Sequence, residues 1–175
     1  MRLIKNVLGF LFNQLRLISP LSLQSSNLKK TFNYYKVPDL FETSGQPNNK
    51  QLISIANDGY EAVINLAPNT IIEGRIINEE DILKSNNITY IHIPVDFNNP
   101  LDEDFNKFVA ALEQSKHKKI WVHCAANMRV SAFVFKYRRD VLGLSSESIV
   151  GDLKAIWVPN KTWSSFLEKK VELDL

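Results

Sequence analysis

The sequence predicts one three-layer α/β domain, a mainly parallel central sheet flanked by helices, preceded by an N-terminal helical extension. Three observations predict it. Short β-branched and aromatic runs alternate with segments of helical periodicity, the order that gives parallel strands covered on both faces. A length of 175 residues suits one domain plus an extension. A hydrophobic fraction of 45% and a charged fraction of 23% supply enough apolar surface for a sizeable core.

The extension covers residues 1–27. Leu3, Val7, Leu11, Leu15 and Ile18 recur at helical spacing, with Ile4 and Leu8 beside them. Asn6, Asn13, Gln14 and Arg16 interrupt the apolar run, which argues against a membrane-spanning helix. An apolar stripe with Arg2, Lys5 and Arg16 interspersed fits two roles: packing on the domain or a partner, or contact with a membrane surface through residues 1–23. A cleaved targeting segment is a third reading, but no clear small-residue cleavage site follows. Ser19-Pro20 ends the helix, and residues 22–27 read as a polar linker.

The domain covers residues 28–175. Residues 32–37 and 40–43 read as strands, followed by the turn Ser44-Gly45-Gln46-Pro47. A helix over 49–57 turns Leu52, Ile53 and Ala56 inward and stops at Asp58-Gly59. Residues 61–66 form the next strand. Asn78 precedes an acidic first turn and Ile82-Leu83, which fits a capped helix. Residues 88–95 form a strand ending near Pro94. Over 102–115, Phe105, Phe108, Val109 and Leu112 fall at i, i+3, i+4 and i+7 and mark the clearest helix. Residues 119–123 form the strand that delivers Cys124. Helices over 130–142, 145–157 and 161–170 close the chain.

Cys124 is the single cysteine, which excludes an internal disulfide and fits a reducing, cytoplasmic compartment, peripheral to a membrane if the extension lies on one. A free cysteine is often only a small buried hydrophobe. Its neighbours argue otherwise. Strand, tight loop and helix aim backbone N–H groups and a positive helix end at one point. A thiol there loses its proton more easily than a free one. Arg129, at the start of a helix, is electrostatically unfavourable unless an anion is present, and its fork can grip an oxyanion. The hydroxyl of Ser131 either donates to the thiolate or caps the helix. The N–H groups of Ala125, Ala126, Asn127, Met128, Arg129 and Val130 form the cradle. His123 reads as a strand residue whose side chain faces away from Cys124, because strand side chains alternate.

His123-Cys124, a short loop, Arg129 and Ser131 together resemble the cysteine-dependent protein phosphatases, particularly the compact dual-specificity type. Thr43-Ser44-Gly45-Gln46-Pro47, with Gln51-Leu52 and Val63-Ile64-Asn65-Leu66, resembles a bacterial subgroup, the phosphatase-like domain also found fused to beta-lactamase-like hydrolases. The resemblance covers residues 34–139. It implies a hydrolase that cleaves a phosphate monoester through a phosphocysteine, acting on a phosphorylated protein or a small phosphate ester. In that family a carboxylic acid on a loop protonates the leaving group. Asp96, at a strand end before Phe97-Asn98-Asn99-Pro100, is the best match. An aspartate before Asn and Pro also forms turns through its own backbone bonds. Asp102 and Asp104 are weaker candidates, since acids are expected in a first helical turn.

The chain departs from the phosphatase pattern in one respect. Four residues separate Cys124 from Arg129 where typical tyrosine phosphatases place five, and Val130 stands at the longer loop's arginine position. Asn127 replaces the usual glycine, and asparagine tolerates the left-handed backbone. The shorter loop resembles that of rhodanese-type sulfurtransferases. A persulfide carried on Cys124 is therefore an alternative, and a catalytically weak anion-binding module is another. A net charge of +2 implies no general attraction to nucleic acid. His92, His117 and His123 are too dispersed for zinc-type spacing, so no metal or organic cofactor is implied.

Overall fold

A computed structural model describes residues 2–17, 20, 23–68 and 79–170. The expectations for Ile18, Ser19 and Asn78 fall outside them. The elements are α1 (Arg2–Leu17), a 3₁₀ turn (Leu28–Lys30), β1 (Tyr35–Lys36), β2 (Glu42–Ser44), α2 (Asn49–Asn57), β3 (Ala62–Asn65), α3 (Glu79–Ser85), β4 (Thr89–His92), α4 (Asp102–Gln114), β5 (Ile120–His123), α5 (Met128–Asp140), α6 (Ser146–Ile156) and α7 (Lys161–Glu168).

The sheet runs β1-β2-β5-β3-β4, and only β1 is antiparallel to its neighbour. β5 is the central strand, with His123 opposite Ser44 on one side and Asn65 on the other. Cys124 therefore leaves the sheet at its carboxyl edge, where ligand sites of parallel sheets lie. Alternation along β5 divides the core. Val122 and Cys124 join Phe105, Phe108, Phe133, Trp163 and Phe166 from α4, α5 and α7. Trp121 faces the other way, among Leu52, Ile55, Val63 and Leu83. Two helical layers around one sheet are the predicted architecture.

Several local expectations need correction. The strand expected over 32–37 shrinks to Tyr35–Lys36, because Asn33 adopts φ 50° and breaks the extended run. Helix α2 buries Leu52 and Ile55, while Ile53 is 43% exposed. A reciprocal cap between Asn48 and Gln51 starts that helix and fixes its rotation. Regular pairing in β4 stops at His92: the Ile93 N–H still donates to the Asn65 carbonyl (2.9 Å), but past Pro94 the Val95 N–H reaches the Leu66 carbonyl, one residue short of the parallel register. Helix α5 begins at Met128, two residues earlier than expected. Part of the expected linker is docked on α2: Asn48 Nδ2 donates to the Ser25 carbonyl (3.1 Å) and Gln51 Nε2 to the Asn27 carbonyl (2.9 Å).

Candidate active site

The loop after β5 is shaped by its own backbone and by two distant segments. Cys124 is fully buried, and its N–H donates to the Ser44 carbonyl (3.3 Å). Gln46 N–H donates to the Ala125 carbonyl (3.2 Å). Because the peptide is a rigid trans plane, the Ala126 N–H then points away from the Ser44–Pro47 turn. Asn33 Nδ2 holds the Ala126 carbonyl at 3.0 Å. Asn127 returns the contact, donating to the Asn33 carbonyl (2.7 Å) and to Thr43 Oγ1 (3.0 Å).

Gly45 explains the Thr43-Ser44-Gly45-Gln46-Pro47 motif. Its N–H donates to the Phe32 carbonyl at 2.6 Å. A Cβ there would lie 2.9 Å from both the Phe32 and Ala125 carbonyl oxygens. Only glycine lets the turn approach the cysteine loop this closely.

Asn127 adopts φ 63°, the left-handed turn expected of it, and ends the loop. The first intrahelical bond of α5 runs from Ser131 N–H to the Asn127 carbonyl (3.0 Å). The N–H groups of Met128, Arg129 and Val130 thus stand ahead of the helix ladder, where the dipole is positive. Arg129 lies in this first turn, 5% exposed, with its guanidinium 5.3 Å from the Phe97 ring centre. No acidic residue shares that turn. A cation beside free N–H groups at a helix N-terminus is an arrangement that suits an anion.

Ser131 lies near the start of α5. Its hydroxyl donates to the Met128 carbonyl (3.0 Å) and accepts from Trp157 Nε1 (3.2 Å). The single hydroxyl proton fastens the first turn of α5. Asp96 is exposed, and its Oδ1 accepts from Asn98 N–H (2.8 Å), the turn bond anticipated for an aspartate before Asn and Pro. The same loop places the next residue, Phe97, against Arg129. Asp102 and Asp104 stand in the first turn of α4. Burial pushes the Asp104 carboxyl above its ordinary value, against the lowering effect of a backbone hydrogen bond.

The sequence reading missed a polar cluster behind the loop. His123 faces away from Cys124, as alternation requires, and its Nε2 meets Glu79 Oε1 at 2.6 Å. Gln46 Nε2 and Asn65 Nδ2 donate to Glu79 Oε2 at 3.0 and 3.4 Å. Asn65 also donates to the Tyr90 hydroxyl (3.1 Å). Burial, and then the Glu79 charge, push the Tyr90 phenol well up. Glu79 thereby joins the turn that carries Gln46 to the strand that carries Cys124. The available signal was a polar residue inside two otherwise apolar strands, Asn65 and His123.

Comparison with known proteins agrees with this geometry. A family model described as DSP-PTPase phosphatase fused to NAD+ kinase matches residues 24–162. No curated protein matches the chain. A DUF442 protein from Shewanella putrefaciens CN-32 is 28% identical, with a TM-score of 0.70 over 81% of this chain and 92% of that one. The fold is also that of TpbA from P. aeruginosa, solved in complex with pTyr (13% identity, TM-score 0.64, 84% and 88% covered). It is likewise that of the core catalytic domain of the PP-IP phosphatase SIW14 from S. cerevisiae, in complex with citrate (15%, 0.67, 81% and 86%). These relatives do not favour the sulfurtransferase alternative. With a cysteine at the edge of the central strand, an arginine in the following helical turn and a family match over most of its length, the chain belongs to the DSP-PTPase family of that model and is a cysteine-dependent phosphatase-like hydrolase.

Proposed function

We propose that this enzyme hydrolyses a phosphate monoester, of a phosphorylated protein or a small molecule, through a phosphocysteine on Cys124. The observation that carries the reading is the convergence of Cys124 and the buried Arg129 on one helix N-terminus held by Asn127 in the left-handed conformation. The Cys124 thiolate attacks phosphorus in line, forming a P–S bond as the P–O bond to the leaving group breaks. Backbone N–H groups of the Ala125 to Val130 loop and the Arg129 fork stabilise the equatorial oxygens. Asp96 gives its proton to the departing oxygen, then takes one from the water that releases inorganic phosphate and restores the thiolate. For this step the Asp96 side chain leaves its turn bond with Asn98.

The test is hydrolysis of aryl phosphates with poor and good leaving groups, set beside thiosulfate turnover with cyanide. Asp96→Asn should lower kcat for the poor leaving group by about 10²–10⁴-fold. The loss should shrink for the good one, which needs less protonation. Undiminished hydrolysis of the poor leaving group moves the acid role to Asp102 or Asp104. Thiosulfate turnover without aryl phosphate hydrolysis refutes the phosphatase reading.

A further inference from the structure

The outer face of α1 is apolar. Leu8, Leu11, Phe12 and Leu15 are 56%, 53%, 70% and 61% exposed. Their i, i+3, i+4, i+7 spacing puts them on one stripe. Another side of the helix sits on the domain. Asn13 is buried, and Gly9 lies so close to Phe32 that a Cβ would meet the ring at 2.7 Å. The seated helix therefore holds its stripe outward.

Charge is segregated along with this stripe. All 19 acidic residues lie at Asp39 or later, while Arg2, Lys5, Arg16, Lys29, Lys30 and Lys36 precede it. The start of the chain is purely cationic and the remainder net acidic. Lys29 and Lys30 are exposed on the 3₁₀ turn, and Lys30 lines the same cleft as Asn13 and Leu17 of α1. An apolar stripe in a stretch of sequence whose charges are all cationic suits an anionic lipid surface: the headgroups attract the charge and the acyl boundary takes up the side chains. No described helix is long and apolar enough to cross a membrane, so α1 would lie in the interface.

We infer that α1 docks the protein on an anionic lipid surface through Leu8, Leu11, Phe12 and Leu15. This goes beyond the phosphatase reading and is independent of it. Docking acts close to the site. Phe32, on which α1 rests, accepts the Gly45 N–H, and the adjacent Asn33 holds the Ala126 carbonyl.

The test uses the full chain and vesicle sedimentation. Phosphatidylcholine vesicles with about 30% phosphatidylglycerol should bind at least about tenfold more tightly than pure phosphatidylcholine, and added salt should weaken the binding. Leu11→Glu/Phe12→Glu should lower binding about tenfold or more and leave the circular dichroism spectrum unchanged. Absent binding to the anionic vesicles, or binding indifferent to the double variant, overturns the inference. A lipid-free dimer that the double variant makes monomeric also overturns it, because the stripe then belongs to a second copy of the chain.

Discussion

At the end of β5 next to the cysteine loop, the two faces of the strand are built from different materials. On one, Val122 and Cys124 sit against an aromatic mass in which Phe133 meets Phe105, Phe108, Trp163 and Phe166 at ring separations of 5.6 to 6.1 Å. On the other, His123 meets a buried carboxylate shared with Gln46 and Asn65. Apolar packing is strong and undirected. Buried hydrogen bonds are directional and costly when unmade. The first face therefore anchors the nucleophile's strand, and the second aims the loop that follows it.

Substitutions on the two faces should therefore separate rate from stability. The largest effect is on the nucleophile. Cys124→Ser should reduce aryl phosphate hydrolysis to background while the protein unfolds at nearly the wild-type temperature and still binds inorganic phosphate by calorimetry. Retained hydrolysis would end the covalent mechanism. Next comes Phe133→Ala on the aromatic face. Chemical denaturation should show a loss of about 3–5 kcal/mol, the cost of a large cavity in a packed core.

Glu79→Gln on the polar face should do the reverse. It keeps the shape of the cluster but removes the charge that His123 and Gln46 share. We expect kcat to fall by about tenfold with KM little changed, since weakening charged hydrogen bonds misaims the loop without removing a binding group. Equal falls in stability and in both kinetic constants would make Glu79 merely structural.

The smallest effect concerns alkaline pH. Burial, then the Asp152 carboxylate 2.5 Å from its hydroxyl, raises the Tyr35 phenol to about 12. Burial, then Glu42, raises Tyr34 to about 12. Both states hold these protons below about pH 10, so stability is complete there. Between about pH 10 and 12 the unfolded chain ionises first, and stability should fall as pH rises. Thermal melts from pH 8 to 11 would check it, and Tyr35→Phe should flatten the decline.

Much of the site is legible in the sequence because it is contiguous. The apolar strand, the single cysteine, an asparagine suited to a left-handed turn and a helical run follow one another along the chain, and each is set by local propensity. The alternation that turns His123 away from Cys124 is local too. The purpose of Thr43-Ser44-Gly45-Gln46-Pro47 is visible only after folding, when Gly45 meets the Phe32 and Ala125 carbonyls.

The layered class, the strand–loop–helix around Cys124 and the candidate residues on it follow from local patterns in the chain. What braces that loop comes from folding. Asn33 and Ala126 stand 93 residues apart, and Glu79 and His123 stand 44 apart. Such partners meet because the strand order places β5 between β2 and β3. Periodicity reports which face of an element is buried, not which element covers it. Ser131 shows the same limit on a smaller scale: its place in the helix is local, but the indole of Trp157 that binds its hydroxyl arrives from the end of α6.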